Sequence, residues 1–245
     1  MTIFSERNSK EVFIPKWTLI EHDQRYWFAN QYLKDKIVVD CACGTGLGTK
    51  IYMQAVPKQL YGYDVSELAV EEARNNNRGN AAEINQASAT ELPLPDASVD
   101  VYVSFETIEH IDADRQYIKE ALRVLKPGGI FLCSTPNRDV TNPGSRLDQN
   151  PINPFHTREY SSQEFFNLLS EDFVILERYG QILKPSIVQT ALKLASILSH
   201  PIPARIHQVF KVLLFLLCWS HKKEPEKITN NASGFEFLIA VCQKP

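Results

Sequence analysis

Three of the chain's ten glycines fall within five positions, in the stretch VVDCACGTGLGT at 38–49. An apolar run ends there in Asp40, and Gly44, Gly46 and Gly48 follow as G-x-G-x-G. Glycine lets a backbone come close to a ligand, so the loop is built to hold something. A second cluster, FETIEHI at 105–111, supplies Glu106, Glu109 and His110. Glu106 directly follows an apolar strand pattern and should face a bound cofactor or acceptor. Glu109 and His110 come one turn later, as a solvated or structural acid and as a capping or site histidine. His156 lies in a stretch of about 25 residues, Thr135 to Tyr160, with four prolines. Loops that long inside a compact domain are functional or disordered. A histidine there is the first candidate for a general base, and fastening its own loop is the alternative role.

The elements that position these residues alternate along the chain. IVVDC, YGYDV, VDVYVSF and GIFLCST read as short buried strands, and DFVILERYG and FEFLIAVCQ as two more near the end. SELAVEEARNN reads as a helix capped by Ser66, and DADRQYIKEALRVL as a helix ended by KPGG. SSQEFFNLL opens with a capping box from Ser161 to Glu164. EHDQRYWFANQYL should form a helix before the first strand. Strands alternating with helices imply a mostly parallel sheet covered on both faces.

Composition narrows the function classes. Hydrophobic residues make 44% of 245 and charged residues 22%, with a net charge of −3. No basic field draws the chain to nucleic acid, and no N-P-P-Y type motif for a flipped base is present. Cys41 and Cys43 lack a second pair, so no metal site is expected. An odd count of five cysteines fits a reduced compartment. MTIFSERNSK has no apolar core and is not read as a secretory signal. The longest apolar run, VLLFLLCWS, falls short of the roughly 18 to 20 residues that span a bilayer. The expectation is a cytoplasmic protein.

Two cofactor classes compete for the glycine loop. A dinucleotide fingerprint needs G-x-G-x-x-G, and this spacing is one residue short, which disfavours a dehydrogenase. Asp40 would also sit badly against pyrophosphate. It suits a cofactor with an ammonium group and no phosphate, a description that fits S-adenosylmethionine.

At this point the stretch resembles the first motif of class I S-adenosylmethionine-dependent methyltransferases. Other pieces resemble that family in order: YGYDVS, ASATELPLPDASVDVYVSFETIEHI and EALRVLKPGGIFLCSTPN. The resemblance covers roughly residues 10 to 180 and the last strand. It implies a Rossmann-like, doubly wound α/β fold with a seven-stranded sheet, the last strand antiparallel. It implies a single domain over 1–245, with 1–36 as a helical lid. S-adenosylmethionine is the implied cofactor and S-adenosylhomocysteine its product. The implied cofactor residues are Tyr26, Asp40, Ala42, Gly44, Thr45, Gly46, Asp64, Val65, Ser88, Ala89 and Ser104. Asp64 would accept from both ribose hydroxyls, while His22, Arg25 and Tyr26 would reach the methionine carboxylate or the acceptor; the alternative is that Tyr26, Trp27 and Tyr32 are packing aromatics. Catalytic candidates are His156, Glu106 and His110. Relatives carry an Asp where this chain has Ser88, and a hydroxyl accepts from the adenine amino group without charge assistance.

A narrower likeness, in VFIPKWTLIEHDQRYWFA and NPFHTREYSSQEFFNLL, is to bacterial methyltransferases of glycan assembly. It implies a small-molecule acceptor, first a sugar hydroxyl or amine of a glycan or nucleotide-sugar precursor. A quinone or lipid-like acceptor is second, and a cofactor-binding partner without catalysis is a third reading. Residues 181–232 are expected as an apolar helical insertion. Its stretch 187–220 would cap the acceptor pocket, pair with a second subunit or rest on a membrane surface. Lys211, His221, Lys222 and Lys223 flank the apolar run, as interfacial helices prefer.

Overall fold

A computed structural model describes residues 16–183, 224–228 and 234–245. From the amino end come α1 (Lys16–Ala29), β1 (Ile37–Cys41), α2 (Leu47–Tyr52), β2 (Gln59–Asp64), α3 (Glu67–Asn76) and β3 (Glu83–Gln86). The chain continues through β4 (Val99–Phe105), α4 (Asp114–Val124), β5 (Leu125–Pro136), α5 (Arg138–Thr141) and α6 (Ser162–Ser170). It ends with β6 (Val174–Leu183), β7 (Glu226–Lys227) and β8 (Phe235–Gln243). The strands form one sheet in the order β3-β2-β1-β4-β5-β8-β6-β7. β1 to β5 pair in parallel, and β8 runs antiparallel to both β5 and β6.

The period-2 alternation of side chains along a strand divides the core. Val38, Val101, Val103, Leu132 and Val241 point to one face, with Ala29, Leu33 and Tyr52 from the α1 and α2 side. Val39, Cys41, Tyr102, Phe131 and Cys133 point to the other, under Tyr117 and Ile118 of α4 and Phe165 and Leu169 of α6. Burying an aromatic such as Phe131 or Phe165 contributes roughly 1.5 to 3 kcal/mol. The sheet is therefore wound on both faces, as expected.

Local signals hold where they were strongest. The Ser66 hydroxyl accepts from Ala69 N and opens α3. The capping box of α6 is complete, with Ser161 Oγ accepting from Glu164 N and Glu164 Oε2 accepting from Ser161 N. Among the described residues the sheet has eight strands rather than seven. The addition is β7, a two-residue edge strand within the expected insertion. β3 carries little sequence signal, because EINQ buries only Ile84. KPGG does end α4, but it then forms an irregularity inside β5 rather than a free turn.

β6 runs on to Leu183, so the expected insertion starts within a strand. Its stretch 187–220, and the lid residues 1–15, lie outside the described residues. Among the described residues no helix is long and apolar enough to cross a membrane.

Candidate active site

The carboxyl ends of β1, β2 and β4 meet at one edge, where open α/β sheets bind ligands. β1 delivers Asp40 and then a sharp reversal. Ala42, Gly44 and Gly46 all have positive φ, at 57°, 54° and 75°. Cys43 N donates to Tyr63 O at 2.9 Å, and Gly46 N to Cys43 O at 2.9 Å. A Cβ at Gly46 would stand 2.6 Å from Asn77 Nδ2, so that position admits only glycine. Gly44 is different: nothing lies within 4 Å of its Cβ position, and its surface is open. From the far side α3 clamps the loop. Asn76 Nδ2 donates to Thr45 O, and Asn77 Nδ2 to Gly46 O, each at 2.9 Å.

Asp64 ends β2 beside this loop. Its Oδ2 accepts from Gly44 N and its Oδ1 from Ser66 N, both at 2.9 Å. Two backbone donors fix the carboxylate, and each oxygen keeps a second lone pair. Asp40 lies deeper, 6% exposed, and accepts from Thr49 Oγ1 at 2.5 Å. Burial pushes its carboxyl up to about 7. The Thr49 bond opposes that rise, and the Asp64 charge adds to it.

α1 crosses the loop. A Cβ at Gly48 would stand 3.0 Å from the Tyr26 ring, so this glycine admits the tyrosine. Tyr26 packs edge-on against Tyr52. Burial, then the Asp40 charge, holds its hydroxyl protonated far above the usual range. Burial, then the Arg25 charge, depresses His22 to about 3, so His22 is a neutral ring rather than a cation.

Arg25 is wholly buried. Its Nη1 donates to Gln181 Oε1 at 2.5 Å, and its guanidinium lies 4.5 Å from the centre of the Phe237 ring. Nη2 is 3.9 Å from Glu106 Oε2, yet among the described residues Nε and Nη2 have no hydrogen-bond acceptor. A buried cation with two idle donors is costly unless an anion completes it. Glu106 itself has φ +53°. Ser134 Oγ donates to its Oε1 at 2.7 Å, and Glu106 N also lies near that hydroxyl, at 3.1 Å.

The remaining expected cofactor residues range from exposed to fully buried. Val65 is 62% exposed beyond Asp64, and Gln86 Nε2 donates to its carbonyl. Ser88 is exposed, and its hydroxyl meets Thr90 Oγ1 at 2.7 Å. Ala89 is partly buried against the main core. Ser104, fully buried, donates to Cys41 O at 3.0 Å and joins β4 to the start of the loop.

His110 and His156 come together at 4.9 Å between ring centres, edge to face. Thr157 N and Oγ1 both donate to Glu109 O, which pins the long loop beneath the turn after β4. His156 is held within its loop. Its Nδ1 meets Glu159 Oε1 at 2.7 Å, its Nε2 meets Asn153 Nδ2 at 2.9 Å, and its side chain is 8% exposed. Glu109 is buried rather than solvated, with Thr135 Oγ1 donating to its Oε2 at 3.0 Å. Glu159, Asn153, Ser134, Thr135 and Gln181 went unread in the sequence. They are polar residues in loops or strand ends; Ser134, Thr135 and Gln181 meet partners far away in the chain, and Asn153 and Glu159 meet His156 through the fold of its loop.

Residues 39–133 match the family described as "Methyltransferase domain". The chain is 38% identical over 156 residues to a "probable S-adenosylmethionine-dependent methyltransferase" of Mycolicibacterium smegmatis (strain ATCC 700084 / mc(2)155). That alignment covers 60% of this chain and 58% of the relative. It is 33% identical over 118 residues to a ubiquinone/menaquinone biosynthesis C-methyltransferase of Caulobacter vibrioides (strain NA1000 / CB15N), covering 44% and 47%. The chain thus spans less than two thirds of the curated relatives it matches. A crystal structure of a SAM-dependent methyltransferase, possible histamine N-methyltransferase, from Thermotoga maritima shares the fold. The TM-score is 0.59 at 21% identity, over 94% of each chain.

The fold is Rossmann-like, and residues 39–133 resemble the methyltransferase domain family, whose relatives are named as S-adenosylmethionine-dependent. Family and neighbours imply S-adenosylmethionine as the cofactor. The residues fit it. Gly44 leaves open room, Asp64 keeps acceptor capacity, and the idle donors of Arg25 await an anionic group such as a carboxylate.

Proposed function

We propose that the chain transfers a methyl group from S-adenosylmethionine to a small-molecule acceptor, first a sugar hydroxyl or amine of a glycan or nucleotide-sugar precursor. The observation that carries the transfer reading is the corner where Asp64 grips Gly44 N and Ser66 N beside an open glycine. The glycan preference draws on the likeness of 12–29 and 153–169 to methyltransferases of glycan assembly.

When bound, the cofactor supplies a methyl group already activated on a sulfonium. Asp64 holds the ribose hydroxyls with its remaining lone pairs. The backbone of Ala42, Gly44, Thr45 and Gly46 lets the cofactor come close, and Asp40 takes its ammonium side. Arg25 donates Nε and Nη2 to its carboxylate. Val65 and Ala89 flank the adenine, Ser88 accepts from its amino group, and Ser104 braces the loop. Tyr26 lids the site and excludes water. Glu106, His110 and His156 serve the acceptor side, where a hydroxyl must lose its proton. Positioning reactants in line supplies much of such a rate enhancement.

A second reading, a quinone or lipid-like acceptor, draws on the name of the Caulobacter relative. Methyl-labelled cofactor, incubated with the protein and an extract of its source cells and then partitioned between water and butanol, separates the two. Label in water supports the soluble glycan precursor, and label in butanol supports the lipid-like acceptor. A protein that binds cofactor but gives no label above a boiled control supports the partner without catalysis.

A further inference from the structure

We propose that Glu109, His110 and His156 form a binding site for one divalent first-row transition cation on the acceptor side of the crevice. Its purpose rests on the methyltransferase reading. Its ligand chemistry does not.

Each of the three residues offers one ligating atom, and these atoms lie within 4.8 Å of one another. Bonds of about 2.1 Å place even opposed ligands only about 4.2 Å apart, so the set closes by several tenths of an ångström on binding. His110 is exposed and has room to do this.

The hydrogen bonds around the rings fix both tautomers. His110 Nδ1 faces Phe155 O at 2.9 Å. A carbonyl only accepts, so Nδ1 carries the hydrogen and Nε2 the lone pair. His156 Nδ1 faces Glu159 Oε1 at 2.7 Å, which likewise puts the hydrogen on Nδ1. Asn153 confirms it. Its Oδ1 accepts from Phe155 N at 3.1 Å, so its amide NH2 is the end turned to His156 Nε2, and that nitrogen accepts. Both imidazoles therefore present Nε2 while an oxygen holds the other nitrogen, the outer arrangement that orients metal-bound histidines. The cation takes the place of the Asn153 donor at His156.

Glu109 supplies the anionic ligand. One of its oxygens is held by Thr135 Oγ1, and the other lies 3.9 Å from His110 Nε2. Two imidazoles and a carboxylate favour Mn2+, Fe2+, Co2+, Ni2+ or Zn2+ over Mg2+ or Ca2+, which prefer all-oxygen sites. Three protein ligands leave open positions for a further oxygen. An acceptor hydroxyl bound there has its pKa lowered, and its proton leaves to solvent. The site thus selects acceptors that present a hydroxyl over those that present only an amine.

The test uses the full chain freed of metal and titrated with Mn2+ alone, following the loss of the free-ion signal by electron paramagnetic resonance. The expected result is one ion per chain with a Kd below about 100 µM. His110→Ala should weaken it at least about tenfold with a thermal midpoint near that of the parent, and His156→Ala should weaken it as much. Glu109→Gln, which keeps a side-chain oxygen near Thr135, should weaken it too. S-adenosylhomocysteine affinity, measured by calorimetry on the same samples, separates the readings. Homocysteine-product binding without Mn2+ binding overturns the cation site and leaves the methyltransferase reading standing. Mn2+ binding that survives both histidine substitutions also overturns it. Mn2+ binding lost in the variants, in a protein without cofactor affinity, keeps the site and removes the methyltransferase reading.

Discussion

The two halves of the crevice are held in different ways. At the glycine loop a side chain holds backbone: Asp64 takes the N–H groups of Gly44 and Ser66, and Asn76 and Asn77 take the carbonyls of Thr45 and Gly46. Around Glu109, His110 and His156, side chains hold side chains and a carbonyl brought from 45 residues away. A backbone cradle is set by short stretches of sequence and serves one fixed ligand. A side-chain cradle is set by the tertiary path of a long loop and can change its ligand by changing that loop. The first suits a cofactor common to many enzymes, and the second suits the acceptor.

The largest expected effect tests the backbone cradle. Asp64→Ala removes the acceptor for two loop amides as well as the proposed ribose contact. S-adenosylhomocysteine affinity should fall at least about tenfold, or 1.4 kcal/mol, in calorimetry. Unchanged affinity would sink the assignment of Asp64, and with it the claim that the two halves divide the work.

Arg25→Met comes next and sharpens the comparison, because Arg25 stands between the halves. Arg25→Met removes the burial cost of a cation with two unsatisfied donors, against the loss of its bond to Gln181 and its 3.9 Å approach to Glu106. The thermal midpoint of the free protein should stay level or rise, while cofactor affinity falls roughly five- to tenfold as the cofactor carboxylate loses a charged donor. A drop in both together would mean that Arg25 is a structural ion rather than a waiting anion site.

These residues were unequally legible in the sequence. The loop, the caps at Ser66 and Ser161 and the strands from β1 to β5 follow from local rules. Gly46 needs positive φ and no Cβ, Ser66 precedes its helix directly, and apolar runs name buried strands. β3 and β7 carried too few buried residues to register. His156 was found as a residue but not in its setting. Its bonds to Asn153 and Glu159 sit three residues to either side, within loop geometry that no periodicity encodes. The burial of Arg25 was equally hidden, since its neighbours Gln181 and Phe237 arrive from the far end of the chain.

A third prediction concerns pH. Burial lifts the Asp40 carboxyl from 3.8 to about 7. Between those values the folded chain keeps a proton that the unfolded chain has lost, so stability should fall as pH rises through that window and level off above it. The ceiling on this loss is about 4 kcal/mol. An ammonium group brought near Asp40 favours the charged carboxylate, so S-adenosylhomocysteine affinity should instead rise several-fold from about pH 6 to about pH 8. Asp40→Asn should flatten both slopes. A slope in affinity that survives the substitution would move the titrating group elsewhere.

The smallest effect is expected at Ser88. Its hydroxyl is tied to Thr90 Oγ1, and Thr90 N donates to it at 3.2 Å. It therefore serves a local turn, at the position where the family resemblance implies a carboxylate for the adenine amino group. Ser88→Asp keeps the turn, because a carboxylate accepts from Thr90 as well, and adds charge to the outward acceptor. Cofactor affinity should rise about two- to threefold, since a hydrogen bond to a charged acceptor is stronger but this one is exposed to water. The gain should appear with S-adenosylhomocysteine and vanish with an analogue that lacks the adenine amino group. Equal gains with both ligands would mean a general charge effect on the rim. Ser88 would then play no part in reading the base, and the backbone cradle would end at Asp64.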